Sequence, residues 1–371
     1  MFKLVAFFLC FVSLGASAFA GGEKLDVGAR AIALGGAFTG LANSSATLFY
    51  NPAGAMLIPY REASFFHARP YGLKELDYLT FSYVEPSLLP RQYGAFGVLA
   101  KRYGFELYNE IMFGIAYANS FEKKFLYGVG LNYQRAFIKN YGSAGAIGVS
   151  VGALGLISES LLIGVAAHNL NAPTMGVSRE ELAQTYAVGL SYKALSNLLL
   201  VVDAEKDVRF PLNLKGGIEY RPVSSVSFRV GFSSEPSRFS GGVGAHYALL
   251  DLDYAFSTHR DLGLTHHLSV SLRFGSGSTP EAAARALAET IELAFADDSR
   301  PLKEGETLEL NRATAAELMR VPKMTRQLAE RILRYRAEVG KFSDVSELRQ
   351  IKGIDEEKFR HFSKFFRVEE K

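Results

Sequence analysis

The dominant pattern in the chain is a period of two. From about Arg61 to Phe274, stretches of eight to twelve alternating residues each end in a turn cluster. Ile111, Phe113, Ile115 and Tyr117 alternate with Met112, Gly114, Ala116 and Ala118, and Tyr127, Val129, Leu131 and Tyr133 alternate with Gly128, Gly130, Asn132 and Gln134. Leu214, Ile218 and Tyr220 oppose Asn213, Lys215, Glu219 and Arg221; Val226, Phe228, Val230 and Phe232 oppose Ser227, Arg229 and Ser233; Leu250, Leu252, Tyr254 and Phe256 oppose Asp251, Asp253 and Ser257. Division at the turns gives about fourteen strands, an even number. One face is oily and the other carries glycine, hydroxyls and charge. A soluble sandwich would alternate similarly, but its interior would not hold Lys215, Glu219, Arg221, Arg229, Asp251 and Asp253 together. The pattern predicts an antiparallel transmembrane β-barrel, closed so that every backbone group is paired without water. The six charged residues become candidate lumen positions.

Composition sharpens this picture. Of the 371 residues 48% are hydrophobic, and the mean hydropathy is +0.07, yet beyond residue 20 the charge-free runs, such as residues 31–60, are broken up by Gly, Pro, Asn and Ser and do not read as a membrane-spanning helix. With 28 Phe, 18 Tyr and no Trp, any aromatic girdle must be built from the first two. The first 20 residues, with Lys3, an apolar run from Leu4 to Leu14 and Ala18-Phe19-Ala20, read as a secretory signal peptide. The one cysteine, Cys10, lies inside that run, so no disulfide or cysteine-based metal site is expected in the mature chain. A net charge of +3 names no partner.

Residues 21–60, before the first strand, are rich in small side chains and close on a turn. Asn51 before Pro52 is driven extended, and Gly54 supplies backbone freedom. Gly28-Ala29-Arg30, Leu34-Gly35-Gly36-Ala37-Phe38 and Asn51-Pro52-Ala53-Gly54 resemble the N-terminal segments of FadL-type and PorV/PorQ-type outer-membrane proteins. The resemblance runs from Gly28 to Phe274. It implies a fourteen-stranded barrel with the N-terminal segment packed in the lumen, and it singles out Asn51, Pro52, Ala53 and Gly54. Relatives often carry acidic residues where this chain has Asn43-Ser44-Ser45, so a charged contact in the plug is not expected here.

The barrel region is read as residues 61–275, followed by a linker and helix over 276–303. Thr279 and Pro280 suit a helix start, and Leu287, Ile291 and Phe295 form one apolar stripe. Residues 304–371 then read as a small all-α domain. Leu310-Asn311-Arg312-Ala313-Thr314, Glu317-Leu318, Val321-Pro322, Gly340-Lys341-Phe342 and Lys352-Gly353-Ile354 resemble the ComEA-type helix-hairpin-helix domain. In that family, glycine-flanked helix N-termini meet DNA phosphates, which suits the physics of unpaired N–H groups. This marks Pro322, Lys323, Met324, Thr325, Lys352, Gly353 and Ile354 as candidate contacts with DNA or protein. Here, however, Lys323-Met324-Thr325 stands where Gly-Ile-Gly is expected, and Asp355 replaces the final glycine of the second hairpin. From Pro301 to Lys371 about 16 basic residues face about 13 acidic ones, far from a dense basic surface. Protein contacts are therefore favoured over DNA.

Other signals carry less. Gly148 to Gly152 matches the nucleophile-elbow spacing, but it lies within an alternating strand, so Ser150 reads as a small lumen residue. The seven histidines show no metal-ligand spacing, and His266-His267 reads as a rim pair. Asp251 and Asp253 read as charge balance rather than an acid/base pair. No enzyme, catalytic residue, metal or cofactor is expected. The sequence thus predicts a mainly β protein in the bacterial outer membrane, in contact with its lipid, with the C-terminal domain in the periplasm. It would act in transport or secretion, with secreted or periplasmic proteins as partners. Passage of a hydrophobic, fatty-acid-like ligand and DNA uptake are the alternatives.

Overall fold

A computed structural model describes residues 25–86, 94–121, 125–176, 179–275, 302 and 305–368. The expected signal peptide and linker helix lie outside the described residues.

Fourteen antiparallel strands close into one barrel. They are β1 (Arg61–Ala68), β2 (Tyr78–Glu85), β3 (Ala95–Gly104), β4 (Tyr108–Phe121), β5 (Phe125–Ile138), β6 (Gly142–Ser158), β7 (Leu161–His168), β8 (Thr185–Leu195), β9 (Leu198–Asp207), β10 (Asn213–Val223), β11 (Val226–Ser234), β12 (Ser237–Tyr247), β13 (Leu250–His259) and β14 (Gly263–Phe274). Each strand pairs with the next in sequence, and β1 closes on β14 with Arg61 opposite Phe274. The polypeptide therefore enters and leaves the barrel at the same end. Four two-residue turns, Glu159-Ser160, Ser196-Asn197, Ser224-Ser225 and Ala248-Leu249, lie at that end and a fifth, Glu235-Pro236, at the other, where residues 69–77 and 208–212 form longer connections.

The alternation sorts as the sequence predicts. Phe113, Ile115, Leu131, Ile218, Phe228, Val230 and Leu252 are exposed on the outer wall, while Lys215, Glu219, Ser227, Arg229 and Asp253 are buried inside. A one-residue slip in any strand would exchange the two sets, so register is fixed by the surroundings of both faces.

Residues 25–60 fill the lumen and supply what would otherwise be a missing core. A short helix, α1 (Ala29–Ala33), is followed by 3₁₀ turns at Ser45–Phe49 and Pro52–Leu57. Leu34, Phe38, Tyr50 and Ile58 are almost fully buried, and Leu48, Met56 and Leu57 pack with Val84, Leu99, Met112, Leu126 and Leu154 of the wall. The small residues noted in the sequence are what allow a chain segment to fit inside a barrel of this size.

The C-terminal domain has its own core of Leu310, Leu318, Val321, Leu328, Ile332, Phe342, Leu348, Phe362 and Phe365. It contains α2 (Ala315–Met319), α3 (Arg326–Glu338), a 3₁₀ turn (Val345–Gln350) and α4 (Glu356–Phe362). Thr314 and Glu317 form a reciprocal capping box on α2. Leu308-Glu309 pairs in parallel with Phe366-Arg367, which ties the start of the domain to its end.

Candidate functional site

The candidate site is the lumen, where plug meets wall. Asn51 is fully buried and uses its amide at both ends. Its Oδ1 accepts from the Ala53 N–H at 3.2 Å, capping the Pro52–Leu57 turn, and its Nδ2 donates to the Thr39 carbonyl at 3.0 Å and to the Ala153 carbonyl of β6 at 3.1 Å. A single side chain thus links two parts of the plug to the barrel. Gly54 sits so close to Ala42 that an added Cβ would lie 2.3 Å from its carbonyl oxygen. Tyr50 folds back, its hydroxyl accepting from the Val27 N–H (2.8 Å) and donating to the Val27 carbonyl (3.0 Å).

Glycines of the wall make room for the plug. A Cβ at Gly231 of β11 would stand 2.1 Å from the Gly35 nitrogen, one at Gly217 of β10 would stand 2.6 Å from Leu34 Cα, and one at Gly164 of β7 would stand 2.2 Å from the Thr39 carbonyl oxygen. Gly128 and Gly152 receive Pro52, Ala53 and Asn51 in the same way. Gly35 and Gly36, with φ of 72° and 79°, turn the chain where a side chain would strike Phe232 or Asp26. Plug and wall therefore meet backbone to backbone around much of the circumference.

Charge fixes the same contact. Arg30 grips Glu219 through two bonds of 2.8 and 3.1 Å and donates to Asn43 Oδ1 at 2.8 Å. Glu219 also receives Arg221 (2.9 Å) and Arg229 (2.7 Å), and Arg229 reaches on to Asp253 at 2.6 Å. Lys215 pairs with Asp26 of the plug (3.2 Å) and Glu205 (2.9 Å). Asp251 receives Arg273 at 2.5 Å and His246 at 2.8 Å. Glu219, Arg221, Arg229 and Asp253 thus form one network with the plug, Lys215 forms a second, and Asp251 stands in a third. The two aspartates hold different cations, a geometry for balancing charge. The expectation of a plug without charged contacts is corrected here: Arg30 takes its carboxylate from the wall, with Asn43 as an added acceptor, and Asp26 takes Lys215.

Several residues that seat the plug were not singled out by the sequence. Asp203 accepts from the Phe38 and Thr39 N–H groups at 2.9 and 2.7 Å, Glu62 from the Ser45 N–H at 2.6 Å, and Ser269 Oγ from the Ala29 N–H at 2.8 Å. Their inward parity was legible, their partners far along the chain were not. Ser150 faces the lumen, accepting from Asn132 at 3.2 Å. The tandem histidines do not form a rim pair. His266 stacks on Tyr254 outside, while His267 turns inward, 2.9 Å from Ser257 Oγ and stacked on Phe66.

Two cavities flank the plug. One of about 630 Å³ opens at the end that bears the termini, lined by Arg30, Glu62, Lys193, Arg221 and Arg273 among others. The other, about 70 Å³, lies on the long-loop side between Val27, Leu48, Leu99, Lys101, Asn132 and Thr185.

In the C-terminal domain, Lys323 is exposed with φ of 63°, in the left-handed conformation that Gly353 adopts (φ 100°) in the second hairpin. Thr325 caps α3, accepting from the Leu328 N–H at 3.3 Å, and Asp355 caps α4, accepting from the Lys358 N–H at 2.8 Å. That bond holds the Asp355 carboxyl below the usual aspartate range. Met324 and Ile354 are buried in the domain core, so these two residues are not contacts; the alternation of the hairpin loop turns them inward. The Pro322 carbonyl accepts from His361 at 2.9 Å, the Lys352 carbonyl accepts from Arg331, and Lys358 Nζ donates to the Gly353 carbonyl at 3.0 Å. A Cβ at Gly353 would lie 2.4 Å from the Arg331 guanidinium. The second hairpin is thus occupied by the domain's own side chains.

Comparison with known proteins agrees with this anatomy. The helix-hairpin-helix motif family matches residues 303–367. No curated protein matches the chain. Among solved structures, the CymD monoaromatic hydrocarbon channel is 11% identical, with a TM-score of 0.51 over 68% of this chain and 99% of that one. A deltaS2 mutant of the TodX monoaromatic hydrocarbon channel is 12% identical, with a TM-score of 0.50 over 68% and 100%. A FadL homologue from Pseudomonas aeruginosa is 14% identical, with a TM-score of 0.47 over 65% and 96%. At such identities the likeness is one of fold: the chain is built as a fourteen-stranded barrel of this architecture, with a helix-hairpin-helix region appended.

Proposed function

We propose that this protein is an outer-membrane barrel of the FadL and PorV type, closed by its plug, which acts in transport or secretion while its C-terminal domain contacts proteins in the periplasm. The outer wall supports the membrane setting. On β4 and β5 the outward rows from Phe121 and Phe125 to Phe113 and Tyr133 are exposed or half-exposed and nearly all apolar. Four of the five two-residue turns among the described residues lie with the termini, in keeping with the periplasmic side of such barrels.

The observation that carries the reading is the plug seat. Backbone packed on glycine, reinforced by the Arg30–Glu219 pair, fills the lumen, and the roomier cavity beside it mixes charged side chains such as Glu62, Arg221 and Arg273 with Leu41, Leu57, Leu162 and Leu198. Such a lumen is no passive pore. A vestibule on the tail's side of the barrel that offers both charged and apolar side chains suits a protein segment, which carries both. In planar bilayers the intact protein should show no steady conductance, while deletion of residues 25–58 should open a channel. Crosslinking in cells should retrieve envelope or secreted proteins, and an open intact channel would overturn the reading.

Passage of a hydrophobic ligand is the second reading, favoured by the fold shared with the CymD channel. The loop-side cavity of about 70 Å³ is far below the ~300 Å³ or more of ligand pockets, so this route requires the plug to shift. Uptake of toluene into liposomes by the intact protein would support it. DNA capture is opposed by Lys323, Asp355 and the occupied second hairpin, and absence of duplex binding by the full chain at low salt would remove it.

A further inference from the structure

On the outer wall, charge is rare and its placement is uneven. Arg61, at the end bearing the termini, is paired with Glu85 at 2.8 Å. At the opposite end, Arg102 on β3 and Arg135 on β5 point outward and are exposed. Among the described residues Arg102 has no acidic partner, and Arg135 donates only to Ser143 Oγ at 3.0 Å. Both belong to one lateral row, because Arg102 and Arg135 flank Ile111 of β4 on either side. Two strand spacings separate them, ~10 Å, within which two guanidiniums can converge on one headgroup.

Their height is fixed by the strands. Ten residues separate Ile111 from Phe121 on β4. At ~3.3 Å per residue and a tilt of ~40° this is about 25 Å, the height of the apolar band of such barrels. The row of arginines therefore lies where hydrocarbon ends. Tyr133, one row below, sends its hydroxyl up against Gly145, the residue opposite Arg135, as a tyrosine at the edge of the hydrocarbon does. The nearest acids are engaged: Glu106 pairs with Lys139 at 2.8 Å, and Asp77 pairs with His67 and Arg69.

We infer that Arg102 and Arg135 form a binding site for the phosphate of an anionic lipid headgroup in the leaflet at the long-loop end, a proposal that rests on the membrane reading above. Guanidinium forks match phosphate geometry, and a pair without carboxylates holds a net charge for it to meet.

The full chain, inserted in phosphatidylcholine nanodiscs, tests this with diphosphorylated lipid A, dephosphorylated lipid A and inorganic phosphate as probes in native mass spectrometry. At about 1 kcal/mol per arginine, the phosphorylated lipid should be preferred roughly 10- to 30-fold. R102Q/R135Q should abolish the preference, R61Q should not, and R102K/R135K should retain part of it. Equal retention of both lipids, an unchanged R102Q/R135Q variant, or displacement of the lipid by millimolar inorganic phosphate would overturn the site. Failure to insert at all would instead strike the membrane reading. Should R102Q/R135Q fold poorly by heat-modified mobility, the lipid preference of R102Q and R135Q singly decides the matter.

Discussion

Gly231→Ala is the sharpest perturbation of the plug. The added methyl would start 2.1 Å from the Gly35 nitrogen and 2.4 Å from the Leu34 carbonyl carbon. These are backbone atoms, so no rotamer change can relieve the clash. To lift 2.1 Å to an ordinary 3.4 Å, the plug must withdraw by about 1.3 Å. That movement would pull the Gly35 N–H from Ser240 Oγ, now at 3.2 Å. Overpacking of this kind costs about 1–3 kcal/mol, and rigid partners on both sides place Gly231→Ala near the top, about 3 kcal/mol. Gly130→Ala is the control: it faces the same lumen, but its nearest atoms lie at 3.7 Å. It should be neutral or stabilising by about 0.4–1 kcal/mol, since it only restricts the unfolded chain. Urea unfolding in detergent measures both, and bilayer conductance reports whether the plug has moved. Equal stability and equally silent channels for the two variants would refute the account of the seat.

Three further outcomes follow from the same geometry. Arg30→Met should destabilise the barrel by about 2 kcal/mol in the same assay, less than the 3–5 of a fully orphaned buried charge, because Glu219 keeps Arg221 and Arg229. Asn51→Asp should be worse than Asn51→Ala, since a carboxylate would face the Thr39 and Ala153 carbonyls; about 3 kcal/mol is expected, and equal effects would disprove the donor role. In the C-terminal domain, the lowered Asp355 means that the ionised cap favours the folded helix: its contribution is complete above the ordinary aspartate range and fades as pH falls through it. The protection factor of the Lys358 amide, taken against its intrinsic exchange rate at each pH, should fall with acid in the native chain and lose that dependence in Asp355→Asn.

The helix-hairpin-helix region shows how far local pattern reaches. Substitution of the hairpin glycines was plain in the sequence, and it weakened the case for phosphate binding. That Lys323 nonetheless adopts φ of 63°, and that Met324 and Ile354 turn into the core, depends on the loop closing over Leu328 and Ile332. The tandem histidines teach the same lesson in the barrel: parity sends His266 and His267 to opposite faces wherever they lie in a strand.

What the sequence alone determined is the sorting of side chains. Alternation is local, each residue is two places from the next on its face, and hydrocarbon outside with charge inside is the one arrangement that satisfies both sets. The order and number of strands came with it, because each pairs with its neighbour. The tertiary structure decided which inward residues meet. Arg30 finds Glu219, and Asp203 finds the Phe38 and Thr39 amides, only once closure folds the wall around the plug. Contacts between segments more than a hundred residues apart leave no periodic trace, and the glycines that receive the plug look like any other glycines until the backbone they accommodate is in place.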